Sequence, residues 1–146
     1  MVEIADHLSG KVVVCVANAL VREGRDMLAV IPPRGSVAAA LPDALVAAAG
    51  HHLPARALAD LDHPLLADVL VCSDHLAATE TTMALMGQIA GIRPLDAGGL
   101  ASASAIEAFT AVLVTLNVRY KAHSTLGLYG LDDPSRVPAR TPLPSS

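Results

Sequence analysis

Four short apolar runs, separated by stretches of helical periodicity, constrain this chain more than any other feature. VVVCV at 12–16 is apolar without interruption, as a strand covered on both faces must be. Runs at 44–49, 68–72 and 92–95 repeat the pattern, the first of them rich in alanine, a weak strand former. Residues 3–9 read as the end of a helix, with Leu8 packing and Gly10 terminating it. Ser36 is placed to cap a short helix from Val37 to Leu41, and Pro54 to open another through Ala59. Asp74 reads as the N-cap of a helix from His75 to Ala90, with Ala78, Thr82, Leu85, Met86 and Ile89 on one face. A last helix is expected over 102–120. Ile106, Phe109, Leu113, Leu116 and Tyr120 line its apolar face, widened by Ala105, Val112 and Thr115. Residues 21–35, with Pro32-Pro33, read as a polar loop.

Strands alternating with helices predict an α/β fold with a mostly parallel sheet flanked by helices and a long C-terminal helix. Parallel strands would gather four loops at one edge: Ala17 to Leu20, Gly50 to Leu53, Ser73-Asp74 and Asp96 to Leu100. Such sheets bind ligands beyond the carboxyl ends of their strands.

A length of 146 residues fits one domain. With Phe109, Tyr120 and Tyr129 the only aromatics, the core must be built from Ala, Val, Leu and Ile. Net charge is -4 and the ten basic residues are scattered, which argues against a nucleic-acid groove. No uninterrupted apolar run reaches about 18 residues, so no membrane span is expected. The start, MVEIADHLSGK, lacks a basic n-region, and a cytoplasmic location is the expectation. Cys15 and Cys72 lie inside apolar strands and read as buried thiols. From 131 to 146 the proline-rich sequence reads as a disordered tail.

His51-His52 is the sharpest local feature, with either a structural or a ligand-side role. His63 and His75 do not complete a zinc pattern, so no metal is expected. Asn18 either donates to a nucleotide or holds its own loop. Asp96 with Gly98-Gly99 either sets a carboxylate and bare backbone beside a ligand or makes a tight turn into the last helix. Glu107 lies near that helix's start, where the helix field favours a carboxylate. No Ser-His-Asp order, paired carboxylates or phosphate loop can be defended, and no catalytic residue is singled out. No G-x-G-x-x-G turn occurs, and VVVCV runs instead into Ala17-Asn18-Ala19-Leu20.

Four segments together resemble the C-terminal two-thirds of the NADPH-dependent reductases of the deazaflavin coenzyme F-420, also called F-420-dependent NADP oxidoreductases. They are GKVVVCVANAL at 10–20, GHHLPARALADLDHPLLADVLVCSD at 50–74, GIRPLDAGGL at 91–100 and LNVRYKAH at 116–123. The resemblance implies a partial Rossmann-like α/β domain over 1–100. Residues 101–130 would form a helical part that completes the cleft and a dimer contact. It implies hydride transfer between NADP(H) and the deazaflavin, small-molecule redox cofactors as partners, and a homodimer. Asn18, Ala19 and Leu20 would lie near the nicotinamide. His51, His52 and Leu53 would line the deazaflavin side, and Asp96, Ala97 and Gly98 the turn into the helical part.

Departures from the family pattern are also visible. The Gly-rich pyrophosphate turn that the family carries upstream is not in this sequence. Ala19 follows Asn18 where the family has proline, Gly50 replaces an aromatic, and Gly99 replaces a proline. Residues 101–105 carry no arginine. The implied reading is an oxidoreductase of this family, impaired or inactive as an isolated chain. The alternative is a non-catalytic binding or dimerisation module derived from the same fold. An unrelated α/β regulatory domain rests on fold class alone.

Overall fold

The computed structural model describes residues 5–41 and 43–131. Four strands form the main sheet: β1 (Val12–Cys15), then, after a hairpin, β4 (Leu45–Ala48), β5 (Ala67–Ser73) and β6 (Ile92–Asp96), side by side in that order. All four expected apolar runs are strands. The β1–β4 and β5–β6 pairs are parallel, in register Val12↔Leu45 and Ala67↔Ile92. The β4–β5 pair is antiparallel and short, Ala47↔Ser73 and Ala48↔Cys72. Ser73 reinforces this seam by donating its hydroxyl to Val46 O at 2.6 Å. The sheet is thus mostly parallel and Rossmann-like, with one reversal.

Alternation along the strands divides the core in two. Val13, Cys15, Val46, Ala48, Leu70 and Cys72 face one layer; Val14, Leu45, Ala47, Val69 and Val71 face the other. Ala47, Ala48 and Ala49 are completely buried. Small side chains at the centre of the sheet let the covering helices approach closely, and that packing overrides alanine's weak strand propensity. Burial pushes the Cys15 thiol pKa up, and Cys15 and Cys72 are buried and not in a disulfide.

The flanking helices match the sequence reading in place more than in detail. The short α1 (Ala5–Leu8) packs Leu8 on the first layer, and Gly10 turns the chain at φ 68°. Ser36 does cap, accepting from Ala39 N at 3.2 Å, but the segment it opens is a 3-10 turn, Ala38–Ala40. Pro54 precedes α2 (Ala55–Leu58). α3 (Leu76–Met86) covers the second layer with Ala78 and Met86, while Leu85 and Ile89 lie outside it, exposed. α4 (Ala103–Tyr120), entered through a 3-10 turn at Leu100–Ser102, lies on the first layer.

Several expectations need correction. Residues 21–35 are not all loop: β2 (Leu20–Glu23) and β3 (Asp26–Ala29) form an antiparallel hairpin. Its two-residue turn has Gly24 at φ 61° and no positive φ at Arg25, the arrangement that suits strand twist. The hairpin packs on α4, where Met27 N donates to Thr115 Oγ1 at 3.0 Å and Arg119 pairs with Asp26 at 2.9 Å. Asp74 does not cap its own helix. It accepts from Leu100 N at 2.9 Å, while Ser73 Oγ takes His75 N. The buried face of α4 is Ala103, Ile106, Glu107, Thr110, Ala111 and Leu113, whereas Phe109, Leu116 and Tyr120 are exposed. Among the described residues one helix, Leu100–Tyr120, is long and apolar enough to cross a membrane, and its inner face packs on the sheet. The expected disordered tail beyond Leu131 lies outside the described residues.

Candidate functional site

The reversal at β5 decides which loops meet. The segments after β1 and β4 leave one end of the sheet, and those after β5 and β6 leave the other. The four loops expected at one edge are therefore two pairs.

At the first end the chain leaves β1 through Ala17, Asn18 and Ala19 into β2, which begins at Leu20. Gly50, at φ 73°, turns the chain out of β4, and Leu53 N closes the turn on Gly50 O at 3.1 Å. Asn18 Nδ2 donates to His51 O at 2.8 Å, tying the two loops together. The loop-holding role of Asn18 is thereby met, and its amide oxygen remains buried without a partner.

The two imidazoles are almost completely buried and point to different surroundings. His52 Nε2 lies 2.7 Å from Asp68 O. A carbonyl only accepts, so Nε2 carries the proton and Nδ1 is left an acceptor. His51 Nε2 lies 3.9 Å from Glu107 Oε1, and neither of its ring nitrogens has a hydrogen-bond partner. Burial, then the neighbouring His52, pushes His51 down to about 4. Burial also lowers His52, against the pull of Asp68. Both rings are neutral at pH 7. Glu107 is itself buried, and burial raises its pKa while backbone bonds from Val37 and Ala38 lower it.

The orphaned atoms are concentrated here. Of five buried side-chain polar atoms without a partner among the described residues, four are Asn18 Oδ1, His51 Nδ1, His51 Nε2 and His52 Nδ1. An unpaired buried polar atom costs about 1–3 kcal/mol. Several in two adjoining loops single this place out as the candidate site.

At the other end the glycine-rich turn is closed on itself. Asp96 Oδ1 accepts from Gly98 N at 2.9 Å, Ala97 N donates to Val71 O at 2.8 Å, and Gly98 O accepts from Ser73 N at 3.0 Å. A Cβ on Gly99 would stand 2.9 Å from Asp74 Oδ1, so a side chain there would push on the carboxylate that caps Leu100. Asp96, Ala97 and Gly98 thus make the tight turn, apart from the Asn18–His51–His52 cluster. Two cavities of about 170 Å3 flank this turn, both touching Ala39, Asp74 and Leu100.

Two features go beyond the sequence reading, which placed Glu107 near the start of the last helix without a partner and did not foresee the second. Glu107, the fifth residue of α4, is the carboxylate that faces His51. Its signal was a lone acid on the helix face that carries Ala103, Ile106 and Thr110. The second is a clasp. Arg93 donates to both Asp68 oxygens, at 2.6 and 2.7 Å, and to Leu128 O at 2.7 Å. Asp68 also accepts from Leu128 N, and its N–H reaches Leu126 O at 2.8 Å, so residues 126–128 are strapped along β5. Arg93 holds the Asp68 carboxyl below its ordinary range. A cavity of about 610 Å3 opens beside the clasp, lined by Leu66, Gly91 and the strap. The charged groups there are spent on one another, so the Asn18–His51–His52 cluster is the better candidate ligand site.

Comparison with known proteins adds named relatives. No family model matches the chain. It is 34% identical over 129 residues to the F420-dependent NADP reductase of Methanocaldococcus jannaschii, covering 84% of this chain and 58% of that protein. Over 79 residues it is 39% identical to the protein of the same name from Methanothermobacter thermautotrophicus, 54% of this chain and 34% of that one. A crystal structure from Arthrobacter sp. FB24, provisionally described as an F420-dependent NADP-reductase, superposes with a TM-score of 0.71 at 20% identity. It covers 84% of this chain and 58% of that one, and shows the shared fold. The chain therefore spans little more than half the length of the first of these relatives.

Proposed function

We propose that this chain is the deazaflavin-side portion of an F-420-dependent NADP oxidoreductase, the family-level assignment that the sequence matches support. In this reading Asn18, Ala19, Leu20, His51, His52 and Leu53 line the cofactor cleft, and Asp96, Ala97 and Gly98 shape the turn into α4. The cofactors supply a hydride donor and acceptor when bound. The chain's own work is to orient and to exclude water, because hydride transfer depends on alignment more than on acid–base groups. Two neutral imidazoles suit that role: they offer hydrogen bonds from buried, uncharged side chains. The observation that carries the proposal is the clustering of orphaned polar atoms at Asn18, His51 and His52.

Titration with oxidised coenzyme F-420, monitored by deazaflavin fluorescence, tests it. Replacing His51 and His52 together by Ala should weaken binding about 10- to 100-fold, the loss of one or two hydrogen bonds. Circular dichroism checks that the variant is folded. Unchanged affinity in a folded double variant would remove both histidines from the site.

The alternative, a binding or dimerisation module, draws on α4. Phe109, Val112, Leu116 and Tyr120 recur at helical spacing and are 41%, 50%, 38% and 76% exposed. We assign this stripe to a homodimer contact, which either reading accommodates. Sedimentation at micromolar concentration should show a dimer and Phe109→Glu should shift it to monomer. A 15 kDa species for the unaltered chain would refute the contact.

A further inference from the structure

We propose that Glu107 is a positioning residue that selects the tautomer of His51, and so decides whether this site offers a ligand an acceptor or a donor. The inference rests on the reading of the Asn18–His51–His52 end as a cofactor site.

The geometry begins with the 3-10 turn at 38–40. Val37 N donates to both Glu107 oxygens, at 3.1 Å each, and the backbone of Ala38 also bonds the carboxylate. Burial raises the Glu107 pKa overall, and these N–H groups work against it by favouring the ionised form, which only accepts. The same Oε1 stands 3.9 Å from His51 Nε2, about 1 Å beyond hydrogen-bond reach. The His51 side chain is wholly buried and its ring nitrogens have no other partner. An acceptor-only group facing Nε2 stabilises the tautomer that carries its proton there. Nδ1 is then left as a buried acceptor, ready for an N–H or O–H of a heteroaromatic ligand. His52 reaches the same state by a separate route, through Asp68 O. Both rings therefore leave Nδ1 as an unpaired acceptor, and Asn18 adds its amide oxygen. The unpaired atoms in these loops call for ligand groups that donate.

Glu107→Gln separates this from a merely structural role. The glutamine has one acceptor oxygen, and the N–H groups of Val37 and Ala38 both require it. Its NH2 is then turned toward His51, where it can only donate, so Nε2 must accept and the proton moves to Nδ1. Histidine nitrogen shifts, read by long-range 15N–1H correlation on ligand-free protein at pH 7.5, report the tautomer directly. The expected result is Nε2–H in the unaltered chain and Nδ1–H in Glu107→Gln. The affinity for oxidised F-420 should fall about tenfold or more, with the far-ultraviolet spectrum preserved. Nδ1–H in the unaltered chain would overturn the proposal, and that spectrum decides the matter even if the variant fails to fold. A folded variant that keeps Nε2–H, or a tautomer switch with unchanged affinity, would overturn it too. Tautomers as stated, with neither protein binding the coenzyme, would support the Glu107–His51 link and instead defeat the cofactor reading beneath it.

Discussion

Gly91→Ala should destabilise this protein by about 3 kcal/mol, a large part of the stability of a domain this size. Gly91 sits at φ 85°, where a Cβ meets the following carbonyl, at a cost of roughly 1–2 kcal/mol. A Cβ there would also stand 2.8 Å from Leu65 O and 3.1 Å from Leu65 C, backbone atoms that cannot swing aside. Gly91 O accepts from Ala67 N at 3.1 Å, the bond that opens the β5–β6 pairing. Relief of the clash would therefore pull at the seam of the sheet. Gly10→Ala is the control: φ is 68° but nothing lies within 4 Å of its Cβ, so only the conformational part applies. Urea midpoints with unchanged slope would measure both. Equal midpoints for the two variants would show that the Leu65 contact relaxes freely.

The second large effect concerns NADPH. The 146-residue chain, assayed alone, should bind it about a thousandfold more weakly than a complete dinucleotide site would. A pyrophosphate is ordinarily held by the N–H groups of a glycine-rich turn and the positive end of the helix it opens. This sequence has no such turn after β1: Cys15 leads through Asn18 into the hairpin. On the proposed reading only contacts to the nicotinamide half would remain, and each charge-assisted bond forgone costs about 1.5–3 kcal/mol. A calorimetric Kd in the low micromolar range would show that other residues of this chain grip the phosphates. On the proposed reading F-420 binding would draw on His51 and His52 and should be spared.

The candidate site was legible only in pieces. His51-His52 stood out as a pair, and Asn18 as a polar residue just past a strand, because each is a local departure from an apolar run. The gathering of their two loops at one edge followed from the parallel-strand expectation, but the bond between them did not, since Asn18 and His51 are 33 residues apart and touch only after β1 and β4 pair. Asp74 looked like a local cap because aspartate before a helix usually is one. Its oxygen instead serves Leu100, a competition that local sequence cannot express. The hairpin at 20–29 left a local signal in Glu23-Gly24-Arg25-Asp26, which Pro32-Pro33 further on obscured.

What the sequence determined by itself is the inventory: four strands from four apolar runs, a long final helix from its period, and buried thiols inside strands. Each depends on how neighbouring residues share a face, and that information is local. The tertiary structure alone decided direction and partnership. Whether β5 runs with or against β4 depends on two cross-strand pairs and the Ser73–Val46 bond, none of which alters the apolar pattern of either strand. Which side of α4 is buried was likewise set by the hairpin and the 3-10 turn packed on it, because a helix apolar on several faces fits its neighbours in more than one rotation. That rotation turned Glu107 inward toward His51 and left Phe109 and Tyr120 outside.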